Sequence, residues 1–284
     1  MSSIASSAQA VPPSPSSLFR LFTLAKFELV RLFLTKRGLL AVAAFTLVWL
    51  VILYYPVNSA VDIVGSEQFR DVIANVVGAL GLSALLKWQV SELAIYWPIA
   101  VYSFPLFAIV IASDQLCSDR TRKTLRFIAL RSTRNEILFG RFIGQSVIIS
   151  LLILITLFAT SAMALFRDFS LLMPAVTKSM AISVELLIIV LPFIALMTLF
   201  NSFMGSAKLV LVSTVLFFTL GKLLVAFITW NIPAASVLAL AFPGEQISQT
   251  LNQAAVAWQN YAIPIIQTAV YLLIASGLMK RSSI

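Results

Sequence analysis

Six runs of mostly apolar residues, at 38–55, 93–113, 142–166, 180–200, 209–230 and 261–279, constrain this chain more than any other feature. A helix needs about 20 such residues to cross a bilayer. The runs therefore predict an all-α, polytopic membrane protein with six transmembrane helices. Charge is correspondingly scarce. Of 284 residues 60% are hydrophobic and 11% charged, whereas a soluble domain carries about 25% charged residues.

The chain is nonetheless basic, with 20 Lys and Arg against 11 Asp and Glu. Basic residues stay on the cytoplasmic side of membrane proteins. With both termini cytoplasmic, the inner segments hold 5, 7, 1 and 2 basic residues and the outer loops 2, 2 and 0. Acids lean the other way, six outside and four inside. Topology thus accounts for the positive charge without nucleic acid. There is no histidine and one cysteine, Cys117. That excludes an intrachain disulfide, imidazole metal sites, His-based triads and His proton relays. No cofactor or metal is expected, and Cys117 reads as a small filler residue.

Outside the spans, residues 1–17 are rich in Ser, Ala and Pro, lack a basic start, and read as a disordered tail rather than a signal peptide. The rest, 18–284, reads as a single transmembrane domain. Segment 18–36 places Leu18, Leu21, Phe22, Ala25, Leu29, Leu32 and Phe33 on one helical stripe, opposite Arg20, Thr23, Lys26 and Arg31. That is the pattern of a helix lying in the membrane surface. Two uses stand open, a lipid anchor or an elbow that also meets a cytoplasmic partner. The long outer loops, 56–92 and 231–260, carry helical stripes of their own (Phe69, Ile73, Val76, Val77; then Ile247, Leu251, Ala254, Ala255, Trp258). These predict short helices at the outer face, either lidding a central path or packing on the bundle.

The loop at 118–141 holds seven of the twenty basic residues. Thr133 to Glu136 fits the S/T-x-x-E capping box, so a helix is predicted to start there and run into span three. Asp119 to Leu130 also reads as one helix, with Arg122 and Arg126 a turn apart and a corner at Arg131-Ser132. Setting topology needs only a short loop. Arginine is favoured at protein interfaces, and each basic residue also gains about 1 kcal/mol beside anionic lipid. Both a docking role and a lipid role fit the cluster.

This layout resembles the membrane subunit of a type-2 ABC transporter, an exporter-like permease. The residues that carry the resemblance are Asp119, Thr124-Leu125, and Arg134, Glu136, Ile137, Leu138 and Gly140, with Arg141 in the place of a lysine. Lys123 stands where the family usually has glycine, and Ser132-Thr133 where proline is common. The resemblance implies an elbow helix, six spans, and a coupling helix between spans two and three. It further implies a dimer of such subunits, homodimeric or with a similar permease, in the inner membrane of a prokaryote. Separate cytoplasmic ABC ATPases would grip Asp119, Arg120, Arg122, Lys123, Thr124, Leu125, Arg126, Arg134 and Glu136. The ATP-binding G-x-x-x-x-G-K-[ST] loop does not occur in this sequence, so hydrolysis is expected from a separate polypeptide.

Two ionisable residues fall inside spans. Glu185 and Lys222 lie roughly 9 and 12 Å below the same outer edge at 1.5 Å per residue. Either they pair, or each snorkels to the surface. Pro98, Pro105 and Pro192 fall inside spans, and Gly140-x-x-x-Gly144 is a close-packing pattern. An intramembrane protease is disfavoured, since histidine is absent and no Asp lies in a span. The leading expectation is an ATP-driven exporter permease for an amphiphilic, lipid or peptide cargo. A six-span secondary transporter or a non-transporting membrane anchor is the alternative.

Overall fold

The computed structural model describes residues 16–59, 88–245 and 258–281. Residues 1–15, the stripe at Phe69 to Val77, and that at Ile247 to Ala255 lie outside the described residues. All regular structure among the described residues is helical. In chain order the α-helices are α1 (Ser17–Leu34), α2 (Lys36–Ile52), α3 (Ser91–Ala112), α4 (Cys117–Thr121), α5 (Thr124–Ala129), α6 (Arg134–Arg167), α7 (Leu172–Phe203), α8 (Ala207–Asn231) and α9 (Gln259–Arg281). Six stretches among the described residues are long and apolar enough to cross a membrane: Gly38–Val57, Ser91–Thr121, Arg134–Arg167, Phe169–Phe203, Ala207–Asn231 and Asn260–Arg281.

Local sequence sets where these helices begin. Ser16, Thr35 and Ser206 cap α1, α2 and α8 by accepting backbone N–H bonds from Phe19, Gly38 and Leu209. Such caps satisfy donors that a helix start leaves orphaned. Thr133 and Glu136 form the reciprocal capping box of α6. Helices α3 and α7 run unbroken through Pro98, Pro105 and Pro192.

Helix α7 is the most buried of the spans and packs on α3, α6 and α9, while α2 and α8 stand at the periphery. The core between them joins Tyr96, Phe104, Ile149, Ile153, Ile182 and Leu186, all nearly inaccessible. Helix α1 lies along the first turns of α6. The two glycines of the close-packing pattern make the seat. A Cβ on Gly140 would stand 2.7 Å from Leu24 Cβ, and one on Gly144 2.8 Å from Glu28 Cβ. The chain then turns sharply from α1 into α2 at Thr35, where a Cβ on Gly38 would stand 2.1 Å from the Leu32 carbonyl oxygen. The stripe read from segment 18–36 divides accordingly. Ala25 and Leu32 are buried against the bundle, whereas Leu18, Phe22 and Phe33 are exposed.

After α8 the chain does not stay at the end of the bundle. The 3-10 segment Pro233–Ala241 folds back beside α8 until Phe242 packs at a tilt on Phe217, ring centroids 4.8 Å apart. Gly221 leaves the room for that ring, since a Cβ there would lie 2.6 Å from it. The returning backbone is satisfied from α9. Gln267 donates to the Leu240 carbonyl at 2.6 Å, and the Tyr271 hydroxyl donates to the Ala241 carbonyl. Irregular backbone beside a span needs protein partners of this kind.

Candidate functional site

The basic hairpin, residues 118–141, connects α3 to α6. Its first arm is built differently from the single helix read at 119–130. Helix α4 ends at Thr121 and α5 starts at Thr124. Between them Lys123 takes a left-handed conformation, φ 58°. Arg122 and Arg126 therefore belong to opposite sides of a break, not to successive turns of one helix. The break is held by Thr124, whose hydroxyl donates to the Asp119 carbonyl at 3.2 Å and to its carboxylate at 3.3 Å. Arg131 and Ser132 N–H groups both donate to the Ile128 carbonyl, forming the corner before the capping box.

Most of the hairpin's charges are used within the chain. Arg120 donates to the Met204 and Ser202 carbonyls at 2.7 and 2.9 Å, at the C-terminal end of α7. Arg134 does the same for Met279 and Lys280 at the end of α9, at 2.8 and 2.9 Å. Helix C-termini present unpaired carbonyls with partial negative charge, so a guanidinium there is favourable twice over. Asn201 ties the root of the hairpin to α7, accepting from Leu116 N–H and donating to the Ala112 carbonyl. Glu136 accepts from Thr133 N–H at 2.7 Å and pairs with Arg20 of α1 at 3.4 Å. Leu125 is buried under α5.

At the base of the hairpin lies a buried ionic cluster. Arg141 has no exposed side-chain surface and meets both Glu28 of α1 and Asp119 of α4. Gln145 donates to Glu28 at 2.8 Å, and Arg31 pairs with Asp114 at 3.0 Å while donating to Ser118. One guanidinium thus fastens α1, the hairpin and the start of α6 together. Arg141 entered the sequence reading only as a stand-in for a lysine, and Glu28 not at all.

What remains bare is the tip. Arg122, Lys123, Arg126 and Arg131 are exposed. Between them stand Phe127 and Leu130, 72% and 82% accessible. Of the nine hairpin residues expected to meet a partner, only Arg122, Lys123 and Arg126 have this open exposure. These two apolar knobs were not among the residues read from the sequence, where the loop was read for its basic residues.

The model of the ABC-2 family transporter protein matches residues 22–280, nearly the whole described chain. The chain belongs to the ABC-2 family. None of the curated proteins matches it. As an ABC-2 member with six helices fit to span a bilayer, it is a multi-pass membrane protein and a permease subunit of an ABC transporter. ABC-2 permeases are generally non-catalytic and work with an ATPase subunit.

Of the two readings left open for Glu185 and Lys222, the pair between them does not form. Lys222 pairs with Glu245 at 3.1 Å, and Glu185 accepts from the Tyr261 hydroxyl at 3.1 Å. The reason is the returning 233–245 segment, which brings a nearer carboxylate to Lys222 than the one on α7. At the other end of the bundle Arg167 closes on Glu92 at 2.8 Å.

Proposed function

We propose that this permease belongs to an ATP-driven exporter and that the hairpin tip is where a separate cytoplasmic ATPase takes hold. The observation that carries this reading is the division of labour within the hairpin. Arg120, Arg134 and Arg141 brace it to the ends of three long helices, so a push on the tip is passed to α6, α7 and α9. Arg122, Lys123, Arg126, Phe127 and Leu130 are left exposed, and arginines with an aromatic anchor are the side chains that carry protein interfaces. In this reading α4 and α5 are the coupling element. Helix α1 is an elbow whose exposed Phe19, Phe22 and Phe33 face lipid at the cytoplasmic surface.

A second copy of the chain, or a similar permease, completes the transporter. Support comes from the Lys222–Glu245 pair, whose side chains keep 50% and 40% of their surface. Charges at that depth avoid hydrocarbon and face protein or a watery cavity. The cargo is amphiphilic, in keeping with the largely apolar spans.

Affinity purification of the full chain in detergent tests the docking claim. The wild type should recover an ABC ATPase, and Arg122→Glu/Arg126→Glu should lower that recovery about tenfold or more through like-charge or unpaired contacts. Equal recovery by both would refute docking at the tip. Reconstitution of the pair separates an exporter from an anchor, since an anchor moves no cargo when ATP is hydrolysed.

A further inference from the structure

A cavity of about 680 Å³ opens beside the ionic cluster, where α1 turns into α2 and where α3, α6 and α8 come together. Its size is that of small-molecule sites, roughly 300–1,000 Å³. We propose that it holds the headgroup and first methylenes of an anionic phospholipid from the adjoining leaflet.

Three observations point to an amphiphile with a negative head. First, the lining is ordered by depth. Lys36 and Ala207 open α2 and α8, and Ser118 lies just past α3, so one part of the wall sits where spans end. Ala41, Val110, Ile111 and Ile148 line the part that runs into those spans, and they offer only hydrocarbon. Second, the charge is positive by one, since Arg31, Lys36 and Arg122 of the lining and Arg141 behind it face three carboxylates. Glu28, Asp114 and Asp119 line the cavity, where Arg31 pairs with Asp114 and Glu28, and Arg141 with Glu28 and Asp119. Lys36 and Arg122 are the remaining cations of the lining, both exposed. Third, Gln145 lines the cavity with a buried Oε1 that has no hydrogen-bond partner, its Nε2 being engaged by Glu28. An acceptor there suits a hydroxyl-bearing head such as phosphoglycerol. The phosphate would lie between Lys36 and Arg122, the glycerol hydroxyl against Gln145, and the chains along Val110 and Ile111 into the bilayer.

The site shares Arg122 with the proposed docking tip, and its test uses the chain without an ATPase. The full chain is placed in nanodiscs of phosphatidylcholine with a minor fraction of phosphatidylglycerol, and retained lipid is counted by native mass spectrometry after release. The wild type should retain phosphatidylglycerol over phosphatidylcholine. Lys36→Gln/Arg122→Gln should weaken retention by ~30-fold, taking about 1 kcal/mol per basic residue near the surface. Ala41→Trp, which keeps every charge and fills the apolar wall, should lose retention as well, with an unchanged thermal melt showing that the chain is folded. Lys26→Gln/Lys280→Gln removes as much charge away from the cavity and should retain lipid like the wild type. Equal retention by the wild type and the Lys36/Arg122 variant would overturn the proposal. So would equal loss in both double variants, which would reduce the effect to diffuse attraction, or displacement by free glycerol phosphate.

Discussion

Arg141 is the residue on which the hairpin end of the molecule turns. A buried guanidinium between two carboxylates is held by its partners, and removing it leaves Glu28 and Asp119 with only the longer-range attraction of Arg31. Arg141→Met should therefore cost about 3–5 kcal/mol, seen as a large fall in melting temperature in detergent. Replacing the set together, Glu28→Leu/Asp119→Leu/Arg141→Met, should regain much of that loss, because packed apolar side chains need no counter-charge. If the triple variant melts lower still, the pairs contribute more than their desolvation takes away. Sequence showed little of this cluster, since Gln145 and Glu28 are 117 residues apart and no periodicity links them. The capping box was legible because Thr133 and Glu136 sit three residues apart and their chemistry is local. Lys222 shows the opposite failure. Its depth was readable, but its partner arrives on a segment whose return path the sequence did not reveal.

Among the elements, the hairpin depends on a single backbone conformation. Lys123 takes the left-handed form that L-residues adopt at a cost of roughly 1–2 kcal/mol. Glycine pays no such steric penalty, which gives a physical reason for the glycine usual at this position of the family's loop. Lys123→Gly should slow amide hydrogen exchange at Thr124 and Leu125, by about fivefold for 1 kcal/mol of local stability. Faster exchange would mean that the lysine side chain holds the break. The spans themselves were readable from continuous apolar runs, and the seat of α1 on α6 was foreshadowed by Gly140 and Gly144. The split of 119–130 into α4 and α5 was not, because helix propensity on either side of Lys123 is unremarkable and the break is fixed by Thr124 binding Asp119. The fold-back of Pro233–Ala241 was hidden for a related reason. Its partners, Gln267 and Tyr271, lie on the next span.

For the whole molecule, six spans form a bundle, one end of which gathers three fixed arginines and one bare, arginine-flanked tip. The fixed arginines make the hairpin part of the helices it joins, and the tip is the part to which the proposed docking is assigned. Photo-crosslinking from that tip is the most direct test. With benzoylphenylalanine placed at Phe127, illumination of cells should join the chain to an ATP-binding protein. The same probe at Phe158, exposed on the apolar flank of α6, should give no such product. A crosslink to the ATPase from Phe127 alone is the predicted result; no crosslink from Phe127, or equal yield from Phe158, would contradict it.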